Sequence, residues 1–293
     1  MMDLSHPLTN GLRRVMGTER LPSSALWYLA SDGLAQWYSW LGRGVAEALN
    51  DKEEARRLVA RAATQAFERR YTHLRETFPH LPDPVRDPRA IGLVIAGLYI
   101  ARRCGRTQWM LTPLGGPFRS LKDRWAAWRL ISPLSHRQRW EEVTTHLGEV
   151  LIALTEQLPT LGVRGVPALL GRICFDAGAR YGAQLRDLFG LSRGPDGAIE
   201  ILRQGEYIFR VNPEHWSEAD AEEMTGFLEG NACPWYARPG WRPLHCGIFG
   251  RFQDGVSSEF GLRYSLTKTI PRHGGHTCRI ELTPIAEPRK RRA

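Results

Sequence analysis

NACPWYARPGWRPLHCGIFGRFQDGVSSEFGLRYSLTKTIPRHGGHTCRIEL, residues 231–282, holds three of the chain's five cysteines and three of its nine histidines. It also carries the clearest strand pattern in the chain. From Glu259 to Thr269, Phe260, Leu262, Tyr264 and Leu266 alternate with Gly261, Arg263, Ser265 and Thr267, the period of a strand with one buried face. From Thr277 to Thr283, Cys278, Ile280 and Leu282 fall on one side in the same way. Between them, Pro271 to Gly275 reads as a loop. Upstream, Leu244 to Gln253 mixes apolar and polar residues and runs into Asp254-Gly255, a turn signal. The three runs predict an antiparallel meander in which Cys246 opens the first strand and Cys278 the third.

Outward from this stretch the pattern becomes helical. Ser23–Leu49 places Leu26, Leu29, Leu34, Trp37, Leu41 and Val45 near helical spacing, and Asp51 to Phe78 starts with Glu53 and Glu54 in its first turn, where acids suit the helix dipole. Trp140 to Leu158 is amphipathic, and 167–189 carries Gly178 and Gly182 one turn apart, a pair suited to close approach of another helix or a ligand. Tyr207 to Val211 reads as a short strand, and Pro213 to Ser217 leads into an acidic segment read as a helix ending near Glu229. Residues 58–78 align without gaps on 169–189, matching at Arg61/Arg172, Ala66/Ala177, Arg69/Arg180, Leu74/Leu185 and Phe78/Phe189, a sign of internal duplication that has since decayed.

The expected class is therefore α+β. It has a mainly helical half over 1–160, an α+β domain with a Cys/His-bearing sheet over 161–286, and a basic, disordered tail at 287–293. Of the formal charge of +9, four charges sit at Arg289, Lys290, Arg291 and Arg292. The rest is arginine spread along helices without a nucleic-acid-binding motif, which disfavours nucleic acid and suits a small carboxylate. The longest apolar run, Ile91 to Ala101, falls short of the roughly 20 residues of a membrane span. Five cysteines without an apolar leader point to a reducing cytoplasm and free thiols.

Gly178-x-x-x-Gly182, the Cys233-Pro234 step, Cys246, and the closing Gly275-His276-Thr277-Cys278-Arg279-Ile280 together resemble the L-2-amino-thiazoline-4-carboxylic acid hydrolase-like family. The pattern, over about residues 165 to 284, is also similar to the vinyl-reductase-type ligand-binding domains of bacterial aromatic-responsive regulators. In those regulators a terminal cysteine motif closes a zinc site made of cysteines and an acid. Where they have a further cysteine eight residues before the last, this chain has Ile270.

The resemblance implies a hydrolase of a small heterocyclic or amide-like carboxylate, with Cys246 as the thiolate nucleophile. His273 or His276 would then serve as base, oriented by Glu259. Trp235, Tyr236, Trp241 and Tyr181 would line the substrate site, with Arg238 and Arg242 for the carboxylate. The alternative is a non-catalytic small-molecule or zinc-binding sensor module, with Cys233, Cys246, Cys278 and His276 as metal donors. A homodimer is compatible with either. The plain alternative for Cys246 is a small apolar core residue.

Overall fold

The structure, a computed structural model, describes residues 11, 13–83, 86–99, 121–209, 215–231 and 233–285. Cys104 and the expected basic tail at 287–293 lie outside them. The fold is α+β, with helices throughout and one four-stranded antiparallel sheet in the C-terminal half. The helices are α1 (Ser23–Leu49), α2 (Lys52–Thr77), α3 (Pro88–Leu98), α4 (Leu121–Ile131), α5 (His136–Gln157), α6 (Val166–Phe189) and α7 (Pro195–Phe209). Strands β1 (His215–Asp220) and β2 (Thr225–Gly230) come next. Helix α8 (Pro243–Ser258), β3 (Leu262–Lys268), the single turn α9 (Ile270–His273) and β4 (Cys278–Pro284) complete the order. Among the described residues, no helix is long and apolar enough to cross a membrane.

The chain divides into two compact units. The helical unit comprises Leu21–Leu170 and Ala237–Trp241. In it α1, α2 and α5 pack against one another pairwise. Their contact faces follow helical spacing: Leu34, Tyr38, Leu41 and Val45 on α1, Ala55, Val59, Ala62 and Ala66 on α2, and Val143, Val150 and Leu154 on α5 are all buried. The alanine stripe on α2 lets its neighbours come close. Caps set the helix starts. Asp51 accepts the N–H groups of Glu53 and Glu54, and Ser135 with Gln138 forms a capping box at α5.

The other unit comprises Met1–Arg20, Gly171–Tyr236 and Arg242–Ala293. Its sheet has the order β1-β2-β4-β3, so β4 lies between β2 and β3. Helix α7 lies on β1 and β2, and α8 on β3. The covered face carries Leu228, Leu262, Tyr264, Ile280 and Leu282, which join Ala198, Ile201 and Leu202 of α7, Val256 of α8, and Phe260 in one core. The register places Tyr264 opposite Leu282 and Leu266 opposite Ile280, the apolar cross-strand pairs expected from the alternation.

Four expectations are corrected. Leu244 to Gln253 is not a strand but most of α8, whose inward residues His245, Ile248 and Val256 recur at helical spacing after Pro243 at the first helical position. Asp254-Gly255 is accordingly no turn. The Asp254 carboxylate accepts the backbone N–H of Tyr264, and Gly255 lies against the backbone of Phe175. Second, the acidic segment after Ser217 that ends near Glu229 is not a helix. From His215 onward the chain is the β1–β2 hairpin, turned by Asp220, which accepts the N–H groups of Glu222 and Glu223, and by Met224 at φ 54°. Third, Tyr207 to Phe209 closes α7 rather than starting a strand, and residues 210–211 lie outside those described. Fourth, within the expected loop Ile270–His273 forms a helical turn, capped by the Thr269 hydroxyl, which accepts the N–H of Arg272. The meander thus becomes a sheet in which β2 pairs with β4, and β3, expected as the middle strand, stands at the edge.

Candidate functional site

Helix α8 presses directly on α6 where glycines permit it. A Cβ on Gly178 would stand 1.9 Å from the Phe252 carbonyl oxygen, and one on Gly255 2.1 Å from that of Phe175. This contact sets how α8 presents its first two turns. Cys246, half-buried, lies in the first of them. His245 beside it is buried, and its Nδ1 accepts the Arg242 N–H at 2.9 Å while its own N–H reaches the Arg242 carbonyl. That imidazole therefore secures the helix start.

The structure brings three sulfur atoms into one neighbourhood from three places: Cys233 after β2, Cys246 on α8, and Cys278 at the start of β4. Burial pushes the Cys233 thiol up to about 12. The amides of Trp235 and Tyr236 work against that rise, and the nearby Cys246 and Cys278 add to it. The Cys278 thiol is also raised, first by burial, and the Glu206 carboxylate adds to this. Its sulfur accepts the Ile270 N–H at 3.4 Å. Among the described residues, no group of three or more His, Cys, Asp or Glu side chains could hold a metal ion. The residues as placed therefore do not fit the zinc centre that the regulators' pattern implies.

The remaining expected residues are dispersed. His273 and His276 are both exposed, and His273 Nδ1 accepts the Thr269 N–H at 3.0 Å. Glu259 ends α8, where Arg186 donates to its carbonyl at 2.7 Å and to its carboxylate at 3.1 Å, so its partner is an arginine rather than an imidazole. Arg238 and Trp241 belong to the helical unit. There the Arg238 guanidinium meets Glu149 at 3.1 Å, and Trp241 is buried. Tyr236 and Arg242 are exposed.

Trp235 and Tyr181 are joined by two phenylalanines of α8. Trp235 meets Phe249 edge-on at 4.8 Å, Phe249 stacks on Phe252 at 6.1 Å, and Tyr181 of α6 lies 5.7 Å from Phe252. Trp235 is buried, whereas Tyr181, Phe249 and Phe252 are half-buried. Cys246 sits one turn before Phe249. The result is a row of four rings, three of them half-buried, with Cys246 one helical turn from the second.

Sequence reasoning missed the polar residues beneath this row. Tyr264 of β3 donates to Gln253 of α8 at 2.5 Å, and Gln253 donates to Glu206 of α7 at 3.2 Å. All three are buried, and burial together with the Glu206 charge holds the Tyr264 phenol well above its usual range. The one available signal was helical spacing through Leu202 and Glu206, which the strand reading of Tyr207 to Val211 obscured.

These environments predict thiol reactivity. A thiol with its pKa at about 12 is ionised at pH 8 to only about one part in ten thousand. In the native protein, Cys233 should therefore react with iodoacetamide roughly a thousandfold more slowly than free cysteine. Cys174, fully buried and raised further still, should not react at all. Mass-mapped alkylation before and after unfolding checks this, and prompt native labelling of either residue would contradict the placement. No protein-family model matches the chain, and no curated protein or solved structure is significantly similar to it.

Proposed function

We propose that the unit built on the sheet is a non-catalytic binding module for a small planar molecule, a heterocyclic carboxylate by preference. The ligand would stack along Trp235, Phe249, Phe252 and Tyr181. The single observation that carries this reading is that row of rings, three of them half-buried, running from Trp235 through Phe249 and Phe252 of α8 to Tyr181 of α6. Rings at offset or edge-on spacing offer the faces and edges on which another planar system packs. Arg242, exposed at the start of α8, supplies a cation for the carboxylate. The raised Cys233 and Cys278 thiols and the exposed His273 and His276 favour binding over thiolate chemistry, since the thiolate is the nucleophile. On this reading the module works in the cytoplasm, where its free cysteines stay reduced.

The hydrolase implied by the resemblance is the second reading, favoured by Cys246 being a half-buried thiol outside any disulfide, one turn before Phe249. One experiment separates the two. Purified protein is titrated with 2-amino-thiazoline-4-carboxylate while tryptophan fluorescence and the mass of the small molecule are followed. The expected result is saturable quenching with no mass change, weakened about tenfold in Phe252→Ala, in line with loss of one ring contact. Addition of water to the compound, abolished by alkylation of Cys246, would establish the hydrolase instead. Stoichiometric zinc in the purified protein would overturn the metal-free site.

A further inference from the structure

The helical unit contains a polar cluster that its own packing leaves incomplete. His146 of α5 is fully buried, with its ring stacked on Phe67 of α2 at 4.2 Å and Tyr99 against it at 4.9 Å. Its Nε2 stands 2.5 Å from the Tyr38 hydroxyl of α1. One turn away on the same two helices, buried Arg70 of α2 and Glu142 of α5 form a two-pronged pair, with Nη2 to Oε2 at 2.7 Å. A further turn along α5, buried Glu149 faces two arginines: Arg238 Nε at 3.1 Å and Arg69 Nε at 3.6 Å.

The donors outnumber the acceptors. Among the described residues, His146 Nδ1, Arg70 Nη1, and Arg69 Nε and Nη2 are buried without a hydrogen-bond partner. Burial and the Arg70 charge hold the His146 imidazole well below its usual pKa, so the ring is neutral near pH 7. The Tyr38 phenol, raised by burial, keeps its proton. With Tyr38 donating to Nε2, the imidazole proton sits on Nδ1, a donor with nothing to donate to. Native interiors rarely leave such groups unmatched, and a missing partner normally means an ion, a water or a ligand. Three arginines face two buried carboxylates, and Glu156, the other acid near Arg69 at 3.7 Å, is about half exposed with its side chain at 48%. The missing partner is therefore best matched by an anion rather than by water. Arg69 and Arg238, with side chains 34% and 27% exposed, form the side that meets solvent. Phe67 and Tyr99 supply apolar walls.

We propose that this cluster is a second ligand site, independent of the ring row, in which Arg70 Nη1, His146 Nδ1 and Arg69 hold the carboxylate of a small organic acid inside the helical unit. Arg70 stays fixed by Glu142, and Tyr38 fixes which imidazole nitrogen carries the proton. The carboxylate accepts from Arg70 and His146, and its organic part lies against Phe67 and Tyr99.

The test uses the full chain with acetate and benzoate as probes, chloride replacing them at equal ionic strength. Calorimetry should show one saturable site, tighter for benzoate because of the aromatic walls. Two-bond proton–nitrogen spectra of the imidazoles should show one histidine protonated at Nδ1, with that resonance moving as probe is added. His146→Gln should weaken binding at least about tenfold through loss of a buried donor. Should that variant unfold, Tyr38→Phe keeps the packing and frees the imidazole tautomer, and it should weaken binding severalfold while leaving the response at Trp235 unchanged. The proposal is overturned if neither probe binds the folded protein, or if binding is the same in Tyr38→Phe and His146→Gln. It is also overturned if the His146 resonance ignores the probes, the behaviour of a site filled by a fixed water. None of these outcomes bears on ligand stacking at the ring row, which is in the other unit.

Discussion

Alanine at Gly178 or Gly255 is expected to unfold the sheet-bearing unit at temperatures where the parent chain is stable. The added methyl at Gly178 would lie 1.9 Å from the Phe252 carbonyl oxygen and 2.8 Å from its carbon. At Gly255 it would lie 2.1 Å from the Phe175 oxygen and 2.7 Å from the Ala179 nitrogen. These obstacles are backbone atoms of a helix, not the ends of flexible side chains, so relief requires α6 and α8 to separate. Overpacking a core costs about 1–3 kcal/mol and at times more, and a backbone clash on this scale belongs at the upper end. Alanine returns about 1 kcal/mol of helix propensity over glycine, which does not offset it. A net loss of about 2 kcal/mol or more corresponds to a fall of about 5–8 °C in melting temperature. Gly247→Ala, on the same helix with nothing within 4 Å of the new Cβ, should raise stability by about 0.5–1 kcal/mol. Thermal melts of the three variants decide the matter. Equal behaviour at 247 and 255 would mean that the helices are not in backbone contact.

The second large effect lies in the helical unit. Removing one member of the Arg70–Glu142 pair leaves the other charge buried. Arg70→Met or Glu142→Leu should therefore each cost about 3–5 kcal/mol, enough to threaten the fold of the unit. The Arg70 guanidinium shows the balance directly. Burial pulls its pKa down, yet hydrogen bonding and the charge of Glu142 outweigh that and raise it. The double variant removes both charges and should recover most of the loss, because apolar side chains of similar volume suit a site where both residues are buried. Urea unfolding of the two single variants and the double would reveal the coupling. A double variant no better than the worse single one would show that the pair does more than neutralise itself.

How much of this was legible in the chain varied by element, for physical reasons. Strands β3 and β4 were readable because one face is packed and the other is not, so Leu262, Tyr264, Ile280 and Leu282 stand out at every second position. Helices α1, α2, α5 and α6 were readable because each buries a stripe at helical spacing. Helix α8 was not. Gly247, Gly250 and Gly255 weaken its local preference, and Asp254-Gly255 imitates a turn. The helix survives because Gly255 gains close contact with α6 and Asp254 gains the Tyr264 N–H. The β1–β2 hairpin was hidden by its acids, which suit a helix start as well as an exposed strand face.

Sequence alone determined the α+β class, the limits of α1, α2, α5 and α6 to within a few residues, and the gathering of cysteines and histidines near the C-terminal end. Those follow from local period and composition, which the chain carries wherever it goes. Tertiary structure decided which polar groups share a space. It set Glu206 near Cys278 and His273 in solvent, and it brought Tyr38, Arg70 and His146 together within α1, α2 and α5. Spacing along a helix tells which residues share a face. It does not tell which face another helix 70 or more residues away will cover, and for Arg70, Glu142 and Tyr38, His146 the partners lie 72 and 108 positions apart.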